Sequence, residues 1–213
     1  MVMNDKTETV ILIHGLWMGS FVLLPHQRWL RTDGFTSRRF SYPSWRGGLD
    51  ENVRLLSRFV NEAPGAVIHL VAHSLGGLVA LKMLSQESDT RIRRLVLLGT
   101  PYAGCHCGIT LAESPVLAPL VGRTLEDWIS LPHTEPPLSL EVGVIAGTRS
   151  IGLGRIIPGL ERPNDGVIAV DETRIATARD SISLNVNHSG MLVSRACAVQ
   201  ISSFLKTGNF IHD

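Results

Sequence analysis

Apolar runs of strand length recur along the chain, and between most of them the apolar positions return at helical spacing. Val10 to Ile13 is the first such run. It ends at His14-Gly15, the pattern of a strand covered on both faces and so central in a sheet. Phe21 to Leu30 reads as a helix with an indistinct start around Pro25, and Phe35 to Tyr42 as a shorter, more polar strand nearer an edge. Leu49, Val53, Leu56 and Val60 then repeat on one helical face, with Asp50 and Glu51 in the first turn where carboxylates complement the helix dipole. Strands follow at Ala66–Ala72, Ile92–Leu98, Val142–Ala146 and Ser181–Val186, with helices at Leu75–Gln86 and Gly190–Leu205. This order predicts right-handed crossovers and an α/β fold, a doubly wound and mainly parallel sheet in one domain spanning residues 1–213.

One stretch interrupts the alternation. From about residue 102 to 137 no strand pattern is present, and Pro115, Pro119, Pro132, Pro136 and Pro137 punctuate short apolar helical pieces. A connection of this length inside a compact domain is most often a lid or binding loop, so a short lid-like insertion is expected there. The plainer alternative is a surface excursion that extends the core.

Composition narrows the function classes. With 213 residues a single domain buries roughly 70% of the surface of its unfolded chain, enough for a core without disulfides or metal. Lys and Arg total 20 against 19 Asp and Glu, a net charge of +1 that gives no basic footprint for nucleic acid. Three cysteines cannot pair completely, and the first residues lack the basic and apolar regions of a signal peptide, so a cytoplasmic location is expected. No apolar run approaches the roughly 20 residues of a membrane span. Nothing in the sequence fixes the oligomeric state.

The chemistry concentrates in Leu70-Val-Ala-His-Ser-Leu-Gly-Gly77. A buried strand runs straight into Ser74, flanked by the small residues Ala72 and Gly76, before a helix begins. A sharp strand-to-helix turn of this kind projects a serine hydroxyl out of the sheet and sets it at a helix N-terminus, where developing negative charge is favoured. The bland alternative is an ordinary N-cap serine. Acyl transfer also needs oxyanion donors, and the Leu16 N–H after Gly15 and the Leu75 N–H after the serine are the candidates. His14 is read as shaping its loop.

Position selects the base among eight histidines. His69 is a mid-strand core residue, His73 faces away beside the serine, His26, His106 and His133 lie in helical or lid segments, and His212 lies near the terminus. His188 follows the last strand, and its loop opens at the same sheet edge as Ser74. The orienting carboxylate should follow the preceding strand, where Asp165-Gly166 sits; Asp171, Glu172 and Asp180 are its competitors, and Asp-Gly is also a common turn dipeptide.

The order Ser74, Asp165, His188 is that of α/β-hydrolase sheets. With Ile11-Leu-Ile-His-Gly-Leu16, Val71-Ala-His-Ser-Leu-Gly-Gly77, Leu97-Leu-Gly-Thr-Pro-Tyr-Ala-Gly104, Asn164-Asp-Gly-Val167 and Asn187-His-Ser-Gly190, the chain resembles small serine esterases and lipases of that family. The resemblance implies a minimal α/β-hydrolase fold, with Ser74 as nucleophile, Asp165 as acid, His188 as base, and Leu16 and Leu75 as oxyanion donors. Ala72 departs from the first glycine of the usual elbow.

These residues imply ester cleavage through an acyl-enzyme. Thiol leaving groups, transfer of the acyl group to an alcohol, or a non-catalytic binding module on the same scaffold are the alternatives. Leu111, Leu117, Leu120 and Trp128, with Trp17 and Phe21, are candidates for the wall of a pocket for an apolar acyl ester, although the same residues could pack as core. Cys105-His-Cys107 has too few partners for a structural zinc site, and no phosphate loop is present, so neither metal nor organic cofactor is expected.

Overall fold

The computed structural model describes residues 8–87, 89–131 and 135–212. Six strands, β1 (Glu8–Ile13), β2 (Thr36–Phe40), β3 (Val67–His73), β4 (Ile92–Leu98), β5 (Glu141–Gly147) and β6 (Asp180–Leu184), form one sheet in the order β2-β1-β3-β4-β5-β6. Every pairing in it is parallel. The expected strands are present with small shifts at their ends. Val10–Ile13 lies second from the edge, not at the centre, because β2 alone flanks it on one side.

Alternation along the strands sorts the core into two layers. Ile11, Ile13, Leu70, Ala72, Leu95, Leu97, Val142 and Val144 face one side, where α2 (Leu49–Asn61) and α3 (Leu75–Gln86) bury Leu49, Val53, Leu56, Leu78 and Leu81. Val10, Leu12, Val71, Val96, Leu98 and Ile145 face the other, against α1 (Leu24–Thr32) and α6 (Arg195–Thr207). Interior strands face both layers, which makes them apolar at consecutive positions such as Val10–Ile13 and Leu95–Leu98. The outer strand β6 alternates between exposed and half-buried residues, as an edge with water on one side should.

Two expected helices begin later than their apolar patterns. Ser20–Leu23 is a 3-10 turn, and the α-helix starts only at Leu24, with Pro25 in its first turn where a missing N–H costs nothing. Ser189–Val193 is likewise 3-10, and α6 begins after Ser194, whose side chain accepts from the Cys197 N–H at 3.2 Å. Among the described residues no helix is long and apolar enough to cross a membrane.

The interruption carries α4 (His106–Glu113), a 3-10 turn at Ala118–Leu120, and α5 (Arg123–Ile129). Hydrogen bonds tie this segment to the loop after β2: Trp45 Nε1 donates to Pro119 O at 2.9 Å, Thr124 Oγ1 to Gly47 O at 2.7 Å, and the Leu49 N–H to Asp127 Oδ2 at 2.8 Å. Leu111, Val121, Leu125 and Trp128 enter the same core layer as α2 and α3. Pro132 and His133 lie outside the described residues.

Candidate active site

Strand β3 delivers Ser74 in a backbone conformation that a serine rarely adopts. Its φ is 52° and ψ −125°, and the turn is held by Ser74 N donating to Leu98 O at 2.9 Å and Gly77 N to Ser74 O at 2.9 Å. Such a conformation costs about 1–3 kcal/mol and persists only where the surroundings enforce it. Ser74 occupies the N-cap position of α3, yet its side chain makes no cap hydrogen bond. That separates it from an ordinary N-cap serine, whose hydroxyl would accept from the first turn.

Small residues around the turn let two loops meet. A Cβ on Gly76 would collide with the His14 carbonyl, and one on Gly15 would lie 3.1 Å from the Ser74 Cβ, so the loop after β1 lies directly against the serine. That loop is braced by Tyr42, which stacks on His14 at 4.5 Å and donates its hydroxyl to His14 O at 2.8 Å. His14 Nε2 accepts from the Tyr42 N–H, which leaves Nδ1 to donate to Gly15 O at 2.9 Å. Burial lowers the His14 pKa, consistent with a neutral ring that shapes the loop. Trp17 follows with φ 58°, the only other non-glycine residue with positive φ among those described.

Asp165 and His188 meet beside this turn. His188 Nδ1 lies 2.6 Å from Asp165 Oδ2, while Asp165 Oδ1 accepts from the Val167 and Ile168 N–H groups at 2.9 and 2.7 Å. The carboxylate is therefore satisfied on both oxygens although it is 1% exposed. The His188 N–H also donates to Asp165 O at 2.9 Å. The competing carboxylates are engaged elsewhere: Asp171 pairs with Arg174 at the surface, Asp180 with His212, and Glu172 accepts from the His106 and Ala169 N–H groups.

A cavity of about 270 Å³ joins these parts. Leu16, Trp17, Ser74, Leu75 and His188 line it together with Cys105, Cys107, Gly108, Leu111 and Leu125 from the interruption and Ile151, Leu153, Val167 and Ile168 from the segment after β5. Four of the expected wall residues are not part of it. Trp128 is 5% exposed and belongs to the core beneath α5, while Leu117 and Leu120 stay about two-fifths exposed on the outer side of the interruption. Phe21, in the 3-10 turn Ser20–Leu23, is 72% exposed.

Cys105 and Cys107 enter the site as apolar surface. Burial pushes their thiols up to about 12 and about 11, so both stay protonated, and all three cysteines are free. No group of three or more His, Cys, Asp or Glu able to hold a metal occurs among the described residues. His73 does not face away from the site, as its place beside the serine suggested. Its ring lies 4.7 Å from that of His188 and its Nε2 is 3.1 Å from His188 O. The signal for the missed wall residues was partly present, since Val167-Ile168 is the apolar run that follows Asp165.

Comparison with known proteins agrees with this arrangement at the level of the fold. The "probable esterase PIR7A" of Oryza sativa, in both the indica and japonica subspecies, is 32% identical over 123 residues, covering 52% of this chain and 46% of the relative. The chain thus spans about half the length of the curated relatives it matches. The crystal structure of Bacillus licheniformis lipase BlEst2 superposes with a TM-score of 0.76 at 16% identity, covering 99% of this chain and 52% of that one. A metagenomic carboxyl esterase gives 0.67 at 16% identity over 88% of this chain and 66% of its own. Polyneuridine aldehyde esterase gives 0.65 at 10% identity over 94% and 100%. The model of the alpha/beta hydrolase family matches residues 10–185, and the chain belongs to that family.

Proposed function

We propose that the protein hydrolyses carboxylic esters with apolar acyl groups, using Ser74 as nucleophile, His188 as general base and acid, and Asp165 as its orienting carboxylate. The observation that carries this reading is the 2.6 Å contact between His188 Nδ1 and buried Asp165, beside a cavity lined by both His188 and the strained Ser74. Asp165 holds the Nδ1–H tautomer, which leaves Nε2 as the basic nitrogen. The esterase and lipase descriptions of the relatives support the same substrate class.

In the first step His188 Nε2 takes the hydroxyl proton as Ser74 Oγ bonds to the ester carbonyl carbon. The carbonyl oxygen takes the negative charge, facing the N–H groups of Leu16 and Leu75, each worth about 2.7–4 kcal/mol of barrier in comparable sites. His188 then returns the proton to the leaving alkoxy oxygen as the carbon–oxygen bond breaks. Water, deprotonated by the same nitrogen, releases the acid and restores the serine. The wall built by residues 105–125 receives the acyl chain, which makes the interruption the substrate-facing part of the fold.

Ser74→Ala tests the reading. Turnover of p-nitrophenyl esters is expected to fall by on the order of 10⁶-fold, with the circular dichroism spectrum unchanged. Retained turnover, or failure of a fluorophosphonate to label the wild-type serine, would remove it.

A further inference from the structure

We infer that His73 is a positioning residue: by donating its Nε2–H to the carbonyl of His188 it fixes the base's backbone to the end of β3 and so sets its ring relative to Ser74. The inference rests on the serine-hydrolase reading above. In the sheet, β3 and β6 are separated by β4 and β5, so the segment bearing Ser74 and the segment bearing His188 share no strand pairing. The 3.1 Å contact from His73 Nε2 to His188 O spans that gap directly, between residues 115 apart in sequence.

The anchorage of His188 is otherwise one-sided. Its N–H and its ring Nδ1 both engage Asp165, so these two contacts fix the base to the acid. His73 holds the opposite end of the same residue and adds a ring contact at 4.7 Å with a 48° tilt. Without it the base would stay on its carboxylate but would lack this direct link to the strand that carries the nucleophile.

The state of His73 fits this role better than a space-filling one. A carbonyl can only accept, so Nε2 carries the hydrogen and Nδ1 presents a bare lone pair. That Nδ1 is buried without a partner, an arrangement that destabilises the fold and that phenylalanine would avoid. Burial also holds the ring well below the usual histidine range, so no second cation lies beside His188 when it takes up a proton.

The test compares His73→Phe, which fills the space without an N–H, with the pair His73→Gln and His73→Met, similar in shape but with and without a donor. kcat and KM for p-nitrophenyl acetate are measured with thermal melts, beside Ser74→Ala. The Phe and Met variants are expected to lose about tenfold or more in kcat at nearly constant KM while remaining folded at the assay temperature by their thermal melts, and Gln stays within about threefold of wild type. If the Phe variant fails to fold, the Gln-to-Met ratio decides. Phe and Met variants within about twofold of wild type, or equal losses in Gln and Met, would overturn the positioning role. An active Ser74→Ala would instead overturn the serine-hydrolase reading, so the two failures are distinguishable.

Discussion

Gly99 lies beneath the Asp165–His188 pair, with φ +54° at the end of β4. A Cβ built there would sit 3.0 Å from Asp165 Oδ2 and 3.1 Å from His188 Nδ1, so the pair would have to yield by a few tenths of an ångström. Gly99→Ala therefore combines two effects. The left-handed backbone costs an alanine about 1–2 kcal/mol, which lowers the melting temperature of a chain this size by about 2–4 °C per kcal/mol. Displacement of the pair adds a kinetic loss; scaled from about 10²-fold for a 1 Å misplacement, a few tenths of an ångström predicts a fall in kcat approaching tenfold. Gly34→Ala separates the two. Gly34 has φ +96° with nothing within 4 Å of its added Cβ, so it carries the backbone strain without the contact. Steady-state hydrolysis of p-nitrophenyl acetate, with a thermal melt of each variant, is the assay. Both variants should melt lower, and only Gly99→Ala should lose turnover. Equal turnover in the two would refute the claim that this glycine makes room for the acid and the base.

Asp165→Asn is expected to lower kcat by on the order of 10³–10⁴-fold through the wrong histidine tautomer. Asp171→Asn removes only a surface pair with Arg174 and should leave kcat within about twofold, and the reverse ranking would move the acid to Asp171. Burial holds His14, His26 and His73 below the ordinary histidine range, so the folded chain keeps them neutral where the unfolded chain takes up protons. The stability this represents is present in full above about pH 6.5 and declines as pH falls toward the folded-state values, by up to about 1.4 kcal/mol per pH unit for each ring. Urea midpoints that stay flat between about pH 7 and 5 would contradict it. Leu111→Ala enlarges the cavity wall, at a cost of about 2–5 kcal/mol, and should move the preferred p-nitrophenyl ester toward longer chains; an unchanged chain-length profile would take Leu111 out of the acyl site.

Much of the scaffold is legible in the sequence because interior parallel strands leave an unmistakable trace. Val10–Ile13, Leu70–Ala72 and Leu95–Leu98 are apolar at consecutive positions since both faces of the sheet are covered. The positions of Ser74 and His188 follow from the same logic, for each stands just beyond the end of a strand, β3 or β6, whereas Asp165 lies in the long loop between β5 and β6. The cavity wall is different. Leu111 and Leu117 look alike in sequence, yet one lines the cavity and the other stays exposed, because the direction in which the interruption docks depends on contacts such as Trp45 with Pro119 and Thr124 with Gly47. Periodicity does not encode those contacts. The direction of His73 is hidden from the sequence for a related reason, since its partner is 115 residues away on the segment after β6, with two strands lying between β3 and β6.

The strand order has a consequence for how the site comes into being. Everything up to α5 supplies the serine and the loop after β1, and everything from β5 onward supplies the carboxylate and the imidazole. Neither half contains the full set of proposed groups, and the two halves join through the pairing of β4 with β5, the shared core layer of α1 and α6, and the contact of His73 with His188. On the proposed reading, ester cleavage would report on the closing of that interface, so that activity appearing during refolding would mark the docking of the two halves and not the formation of either one.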